Sequence, residues 1–261
     1  MMLRTVQATR YVTPLREGGS MPAIVEADDL GLYVLKFRGA GQGPLALLAE
    51  LVAGEIGRKL GLRVPELVFI EVDAALGRNE PDQEIRDLLK ASVGQNLGLD
   101  YLPGSTTFDL AAGDTADAEL ASKMVWFDAF VTNVDRTARN PNLLNWHKHI
   151  YCIDHGAALY FHHNWQSIET AAGSRFPAIR DHILLPWASS LKEAEAAAHG
   201  LLHREVFAEI LAAVPDAWLT PEQGIDGPIE KRAAYVDYLT RRLEASSNFV
   251  EEAVHARTLL I

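Results

Sequence analysis

The sequence is short of cysteine, of long apolar runs and of basic charge. Cys152 is its one cysteine among 261 residues, which excludes a disulfide framework and a cysteine-rich zinc site. The most apolar stretch, residues 45–53, is interrupted by Glu50, so no run is long enough to span a bilayer. The formal net charge of −11 argues against binding along a nucleic-acid backbone. No apolar signal region follows Arg4 and Arg10, and we therefore expect a cytoplasmic protein that does not bind membranes.

The first part of the chain has the composition of a β-rich lobe. β-branched and aromatic residues between turn residues predict strands at residues 5–12, 23–27, 32–37, 67–72 and 97–102. One helix is predicted at residues 44–60, because Pro44 suits its first turn and Gly61 its end. The charged stretch at 78–86 is predicted to form a loop or a short exposed helix.

The second part of the chain is mostly helical. Leu120, Met124, Phe127 and Val131 recur at spacings of four, three and four, which is one buried face of a helix. Further helices are predicted at residues 191–202, 204–214 and 228–260. We therefore expect an α+β fold in which an N-terminal lobe, residues 1–102, and a C-terminal lobe, residues 103–261, form one domain.

Three oxygen-bearing side chains follow the first helix of the second lobe. Asp135 and Asn140 lie five residues apart in a polar segment, and Asp154 ends the short apolar run at 150–153. Phosphoryl transfer needs one carboxylate that orients the attacking hydroxyl. A second carboxylate and an amide oxygen are hard ligands that suit magnesium. The pattern therefore indicates phosphoryl transfer.

The N-terminal lobe offers residues that suit phosphate binding. Gly18, Gly19 and Ser20 form a loop of small residues whose backbone N–H groups can approach phosphates. Lys36 lies in a predicted strand and supplies a positive charge. Such a lysine needs a carboxylate partner, and the next helix contains both Glu50 and Glu55. Their spacing alone leaves the choice between them open.

The order of these motifs resembles that of the HipA-like kinases, which are similar to phosphatidylinositol kinases and, more remotely, to protein kinases. The resemblance lies in a strand lysine, a helix glutamate, an Asp-Arg-x-x-x-Asn loop and Ile-Asp-His-Gly. The matching stretches are residues 34–37, 50–65, 133–140 and 151–154. The sequence departs from the family at Thr137, where many relatives have histidine, and at His155, which replaces the aromatic residue of Asp-Phe-Gly.

The resemblance implies a two-lobed protein-kinase-like fold with ATP in the cleft between the lobes. It assigns Asp135 as the catalytic residue, Asn140 and Asp154 as Mg²⁺ ligands, and Lys36 with Glu50 as the nucleotide-phosphate lysine and its partner. It also assigns the phosphate loop and an adenine-contacting hinge. The phosphate loop is Gly18, Gly19 and Ser20, and the hinge includes Asp100, Tyr101 and Leu102.

Other functions remain open from the sequence. The order Gly39, Gly41, Gly43 between a strand and a helix, with Glu71 later, resembles a dinucleotide fingerprint, but its third glycine comes one residue early. We expect a Mg²⁺-dependent kinase that transfers the ATP γ-phosphoryl group to a hydroxyl, on Ser or Thr of an unknown protein. The alternatives are a regulatory module that binds nucleotide without transferring phosphate, or a small-molecule or lipid kinase.

Overall fold

A computed structural model describes residues 3–15, 21–41, 43–78, 80–165, 168–222 and 224–260. Its N-lobe is a closed five-stranded barrel with the order β1-β2-β3-β5-β4. The strands are β1 (Thr5–Pro14), β2 (Ala23–Ala27), β3 (Leu32–Lys36), β4 (Leu67–Val72) and β5 (Gly94–Asp100). Two helices accompany the barrel, α1 (Gly43–Lys59) and α2 (Gln83–Ala91).

The barrel closes because β1 pairs in parallel with β4 while the other neighbours are antiparallel. Among the strands that the structure describes in the N-lobe, closure leaves no unpaired sheet edge. Space inside is tight at Gly98, where an added Cβ would lie 2.3 Å from Cδ1 of Ile70. Strand β3 lies between β2 and β5, which fixes the strand that carries Lys36 on both sides.

Helix α1 joins the barrel to the rest of the molecule. It is rich in leucine and alanine, and its buried hydrophobic residues belong to the same core cluster as those of the C-terminal helices. The helix ends at Lys59; two residues later Gly61 has a φ of +77°, which suits glycine, and the Leu62 N–H donates to the Gly57 carbonyl. Glu50 is fully buried in the middle of α1, so it needs charged or hydrogen-bonding partners.

The C-lobe is mainly helical. It contains α3 (Ala118–Phe130), α4 (Ile168–Ala172), α5 (Leu191–Leu201), α6 (Arg204–Ala212), α7 (Pro228–Glu244) and α8 (Ser246–Thr258). A small sheet is formed by β6 (Thr106–Thr107), β7 (Leu143–Trp146) and β8 (His149–Cys152). The buried Arg242 of α7 donates to the Ala129 and Phe130 carbonyls, 2.7 and 2.9 Å away, and so caps the C-terminal end of α3.

Two local predictions differ from the structure in their bounds. Of the two alternatives for residues 78–86, a loop or a short exposed helix, the structure has a short helix, α2, which begins only at Gln83 and is capped by Asp82, whose side chain accepts the Glu84 N–H at 2.9 Å. The single helix predicted over 228–260 is two helices, which separate at Ala245.

The hairpin β7–β8 positions the end of the strand that precedes Asp154. His147 and Lys148 both have positive φ, as a tight two-residue hairpin turn requires. The register pairs Leu143 with Cys152, so β7 begins and β8 ends beside the polar loop. Among the described residues, no helix combines the length and the apolar content needed to cross a membrane.

Candidate active site

Lys36 connects the two lobes through two short ion pairs. Its Nζ lies 2.6 Å from Oε2 of Glu50 on α1 and 2.6 Å from Oδ1 of Asp154 beyond β8. Glu50 is fully buried, whereas the Asp154 side chain is 46% exposed and so faces solvent on one side. The structure thus brings together three residues that the sequence analysis selected, and it joins Lys36 to Glu50 rather than to Glu55.

The charges of this cluster stabilise each other. Burial alone would raise the pKa of Glu50, but the Lys36 charge and the His155 hydrogen bond outweigh burial and lower that pKa to about 2. Burial opposes the charge of Lys36, but Glu50 and Asp154 raise its pKa well above the ordinary lysine value. The cluster therefore holds an ionised carboxylate beside a protonated amine at neutral pH.

Asp154 owes its orientation to the backbone. Its φ is +55°, in the left-handed region that aspartate tolerates better than most residues. A Cβ added at Gly156 would lie 3.7 Å from Oδ1 of Asp154 and 3.7 Å from the Ala46 Cβ, an ordinary contact distance. The turn after β8 therefore directs the carboxylate toward Lys36.

Asp135 lies in the polar loop after α3, and amides hold its carboxylate. Nδ2 of Asn140 donates to Oδ2 of Asp135 at 2.8 Å, and Nδ2 of Asn142 lies 3.5 Å from the same oxygen. The Asp135 backbone N–H donates to Oδ1 of Asn133 at 3.2 Å. Asp135 and Asn140 are therefore direct partners, and the Asn140 amide oxygen is not used in this contact.

A buried ion pair anchors this loop to helix α3. Nε of Arg136 lies 2.6 Å from Oδ2 of Asp128 on α3, and both side chains are buried. Nε2 of His182 lies 2.9 Å from the same oxygen. His182 accepts the Leu184 backbone N–H at Nδ1, so the proton is on Nε2 and the ring donates to Asp128. Burial alone would raise the pKa of Asp128, but Arg136 and His182 lower it.

Arg136 also ties the loop to the end of strand β8. Its Nη1 donates to the Asn142 carbonyl and lies 3.4 Å from the Ile153 carbonyl. The Ile153 N–H donates to the Asn142 carbonyl at 3.0 Å. Because Ile153 precedes Asp154 directly, these bonds keep the loop of Asp135 and Asn140 next to Asp154.

The supporting residues Asp128, His182 and Asn142 were not identified from the sequence. Asp128 lies on an otherwise apolar face of α3. A charged residue on such a face needs a buried partner, and this was the feature of the sequence that could have identified it. His182 carried no signal, because it reaches the loop only through the tertiary fold.

The predicted hinge follows β5. The Asp100 N–H donates to the Glu66 carbonyl and the Tyr101 N–H to the Leu32 carbonyl, both at 2.9 Å. Two backbone donors of this segment are therefore already used within the N-lobe. The predicted phosphate loop, Gly18, Gly19 and Ser20, lies outside the described residues.

Within the described residues, the ion pairs of Lys36 do not include Glu55, the second helix carboxylate that the spacing left open. The Glu55 carboxylate lies 3.7 Å from Arg58 on its own helix. Cys152 is fully buried, and burial raises the pKa of its thiol to about 12. Strands β3 and β4 are not neighbours in the barrel, so the fingerprint at Gly39 to Gly43 lacks the parallel unit of a dinucleotide site.

A solved kinase structure has a similar fold. The crystal structure of the Helicobacter pylori proinflammatory kinase CtkA superposes with a TM-score of 0.53 at 14% identity, covering 92% of this chain and 95% of that one. A crystal structure of the Golgi casein kinase with Mn and ADP bound gives a TM-score of 0.49 at 11% identity, covering 96% of this chain and 73% of that one. The likeness to CtkA shows the two-lobed kinase fold.

The family follows from the sequence match. The model of the HipA-like kinase family matches residues 9–252, which is most of the chain. The chain therefore belongs to the HipA-like kinase family, and its class is that of the phosphotransferases. No curated protein matches the sequence.

Proposed function

We propose that this protein is a Mg²⁺-dependent kinase that transfers the γ-phosphoryl group of ATP to a protein serine or threonine. The observation that carries the proposal is the position of Lys36, which contacts Glu50 and Asp154 at 2.6 Å each. A buried glutamate that fixes a lysine beside an exposed carboxylate is the arrangement that phosphate and metal binding need.

Asp154 and Asn140 are the residues that would hold magnesium. Their donor atoms fit the ion, because Mg²⁺ prefers hard oxygen ligands and needs few of them from the protein. The Asp154 carboxylate is 46% exposed, and the Asn140 amide uses its nitrogen toward Asp135, which leaves its oxygen for a cation. Bound magnesium neutralises charge on the phosphates.

Lys36 and the predicted hinge are assigned to the nucleotide. In the bound state the Lys36 amine binds phosphate oxygens, and Glu50 keeps it in place. Asp100, Tyr101 and Leu102 contact adenine, chiefly through atoms other than the two N–H groups already bonded in the N-lobe. Phosphate binding is assigned also to Gly18, Gly19 and Ser20, on the family resemblance alone.

Asp135 orients the acceptor hydroxyl for in-line attack on the γ-phosphorus. Asn140 and Asn142 fix its Oδ2, which leaves Oδ1 to accept the hydroxyl proton. The anchors of the loop, Arg136 and Asp128, keep this carboxylate from moving as the acceptor binds. Precise placement of the reacting groups supplies much of the rate in such a reaction.

The proposal is tested with Asp135→Ala, Asp154→Ala and a matched surface control, Asp237→Ala, whose partner Arg204 is exposed. We expect Asp135→Ala to bind Mg²⁺–ATP but to lose at least about a hundredfold in ATP turnover. Asp154→Ala loses the magnesium dependence of ATP binding, measured by calorimetry, and Asp237→Ala behaves as wild type. Unchanged binding and turnover in both active-site variants would show that the assignment is wrong.

The acceptor class is tested separately with radiolabelled ATP. A mixture of Ser- and Thr-containing peptides should become labelled by the wild type and not by Asp135→Ala. Labelling of sugars or lipids in place of peptides would contradict the protein acceptor. Mg²⁺–ATP binding without any transfer would identify a regulatory module instead.

A further inference from the structure

His155 is a buried histidine that contacts Glu50 through two separate atoms. Its backbone N–H donates to Oε2 of Glu50 at 2.7 Å, and its Nδ1 lies 3.2 Å from Oε1. Both side chains are fully buried. Each oxygen of the Glu50 carboxylate therefore has its own donor from His155, in addition to the Lys36 amine on Oε2.

The dipeptide Asp154-His155 thereby contacts both members of the Lys36–Glu50 pair. Asp154 binds the amine of Lys36, and His155 binds the carboxylate of Glu50. The four residues form a closed ring of contacts in which β3 and α1 supply one half and the segment after β8 supplies the other. A shift of α1 would break the His155 contacts and change the position of Glu50 at the same time.

We infer that His155 is a positioning residue for phosphoryl transfer, which holds Glu50 in the orientation that keeps Lys36 at the phosphate site. The catalytic part of this inference rests on the proposed function. The positioning itself concerns only residues of this chain and is measurable without nucleotide.

The hydrogen-bonding state of the ring supports this role over simple packing. Among the described residues, Nε2 of His155 has no hydrogen-bond partner, and the ring meets Phe127 edge to face at 5.6 Å between centroids. An unpartnered buried nitrogen is unfavourable, and an apolar side chain would avoid it. The carboxylate of Glu50 accepts hydrogen bonds only, so Nδ1 carries the proton and donates. The hydrogen bond to Glu50 is therefore the contribution of the imidazole that an apolar side chain could not make.

Two substitutions separate positioning from packing. His155→Asn places an amide N–H near the position of Nδ1, whereas His155→Leu fills the space without a donor. His162→Leu is the matched control, because His162 is also buried and contacts Tyr235 at 3.1 Å. All three variants retain the backbone N–H at their position.

The first readout is acylation of Lys36 in nucleotide-free protein by an amine-reactive acetyl ester, with the exposed Lys192 as internal reference in mass spectrometry. We expect His155→Leu to raise the relative rate at Lys36 about tenfold, the order expected for the loss of one hydrogen bond to a charged group. The rate in His155→Asn stays within about threefold of wild type, and His162→Leu leaves it unchanged.

The second readout is steady-state kinetics of phosphotransfer. His155→Leu should lower kcat about tenfold with a smaller change in KM for ATP, and His155→Asn should restore most of kcat. If both substitutions have equal effects on both readouts, or if His155→Leu leaves Lys36 protected, the inference is overturned. If wild type transfers no phosphate, the proposed function fails while the acylation rates still decide the positioning role.

If His155→Leu does not fold, His155→Gln replaces it. The same results are expected, because the longer glutamine side chain places its amide beyond the Nδ1 position and cannot donate to Glu50 from there.

Discussion

The buried Glu50 should make the stability of the protein depend on pH in a way that a single substitution reveals. Its pKa is lowered from 4.5 to about 2 in the folded protein. One pKa unit corresponds to about 1.4 kcal/mol, so the folded state gains about 3 kcal/mol from this carboxylate at pH 7. Because the folded pKa is the lower one, this gain is present above pH 4.5 and is lost as the pH falls toward 2. Glu50→Gln removes the gain at every pH.

The measurement is the free energy of unfolding in urea for wild type and Glu50→Gln at pH 7, 5, 4 and 3. We expect a difference of about 3 kcal/mol at pH 7 that shrinks by about 2 kcal/mol at pH 3. The control is Glu66→Gln, whose partner Arg4 is exposed, and which should change stability by less than about 1 kcal/mol. If the free energies of unfolding of wild type and Glu50→Gln differ by the same amount from pH 7 to pH 3, the reasoning is refuted.

Three further predictions concern buried groups elsewhere. Because burial raises the pKa of Cys152 to about 12, a disulfide reagent at pH 8 should react only at the rate of unfolding, and fast reaction of native protein would contradict this. His182→Gln retains a donor toward Asp128 and should keep kcat within about threefold of wild type. The shorter side chain of His182→Asn does not reach Asp128, and its kcat should fall about tenfold. Equal kcat values for the two variants would contradict the role of that bond. Arg242→Ala should lower the free energy of unfolding in urea by about 3 kcal/mol, because five backbone carbonyls lose a donor; a loss below about 1 kcal/mol would exclude the cap.

The sequence was informative where local pattern determines structure. The strand that carries Lys36, the helix that carries Glu50 and the strand end before Asp154 follow from periodicity and turn residues, and the structure has all three. The family resemblance selected Glu50 over Glu55, and the structure pairs Glu50 with Lys36. The lobe boundary at residue 102 and the roles of the site residues stay predictions.

The sequence was uninformative where the conformation or the partner of a residue depends on the tertiary fold. The chain has neither glycine nor proline at Ala245, yet the helix breaks there, and next to the break Ser246 donates to Glu195 of α5 at 2.5 Å. The turn at His147 and Lys148 lacks the asparagine or glycine typical of its positive φ values. Likewise, His182 contacts Asp128 only because the chain returns to the loop after α4. The contacts of Ser246 and His182 join residues far apart in sequence, so no local pattern predicts them.

The most direct test of the account is a crystal structure of the protein with magnesium and a non-hydrolysable ATP analogue. We expect one Mg²⁺ bound by a carboxylate oxygen of Asp154 and the amide oxygen of Asn140, with the Lys36 amine on a phosphate oxygen and still paired with Glu50. The carboxylate of Asp135 should face the γ-phosphate. A nucleotide bound away from Lys36, or a metal that contacts neither Asp154 nor Asn140, would contradict the account.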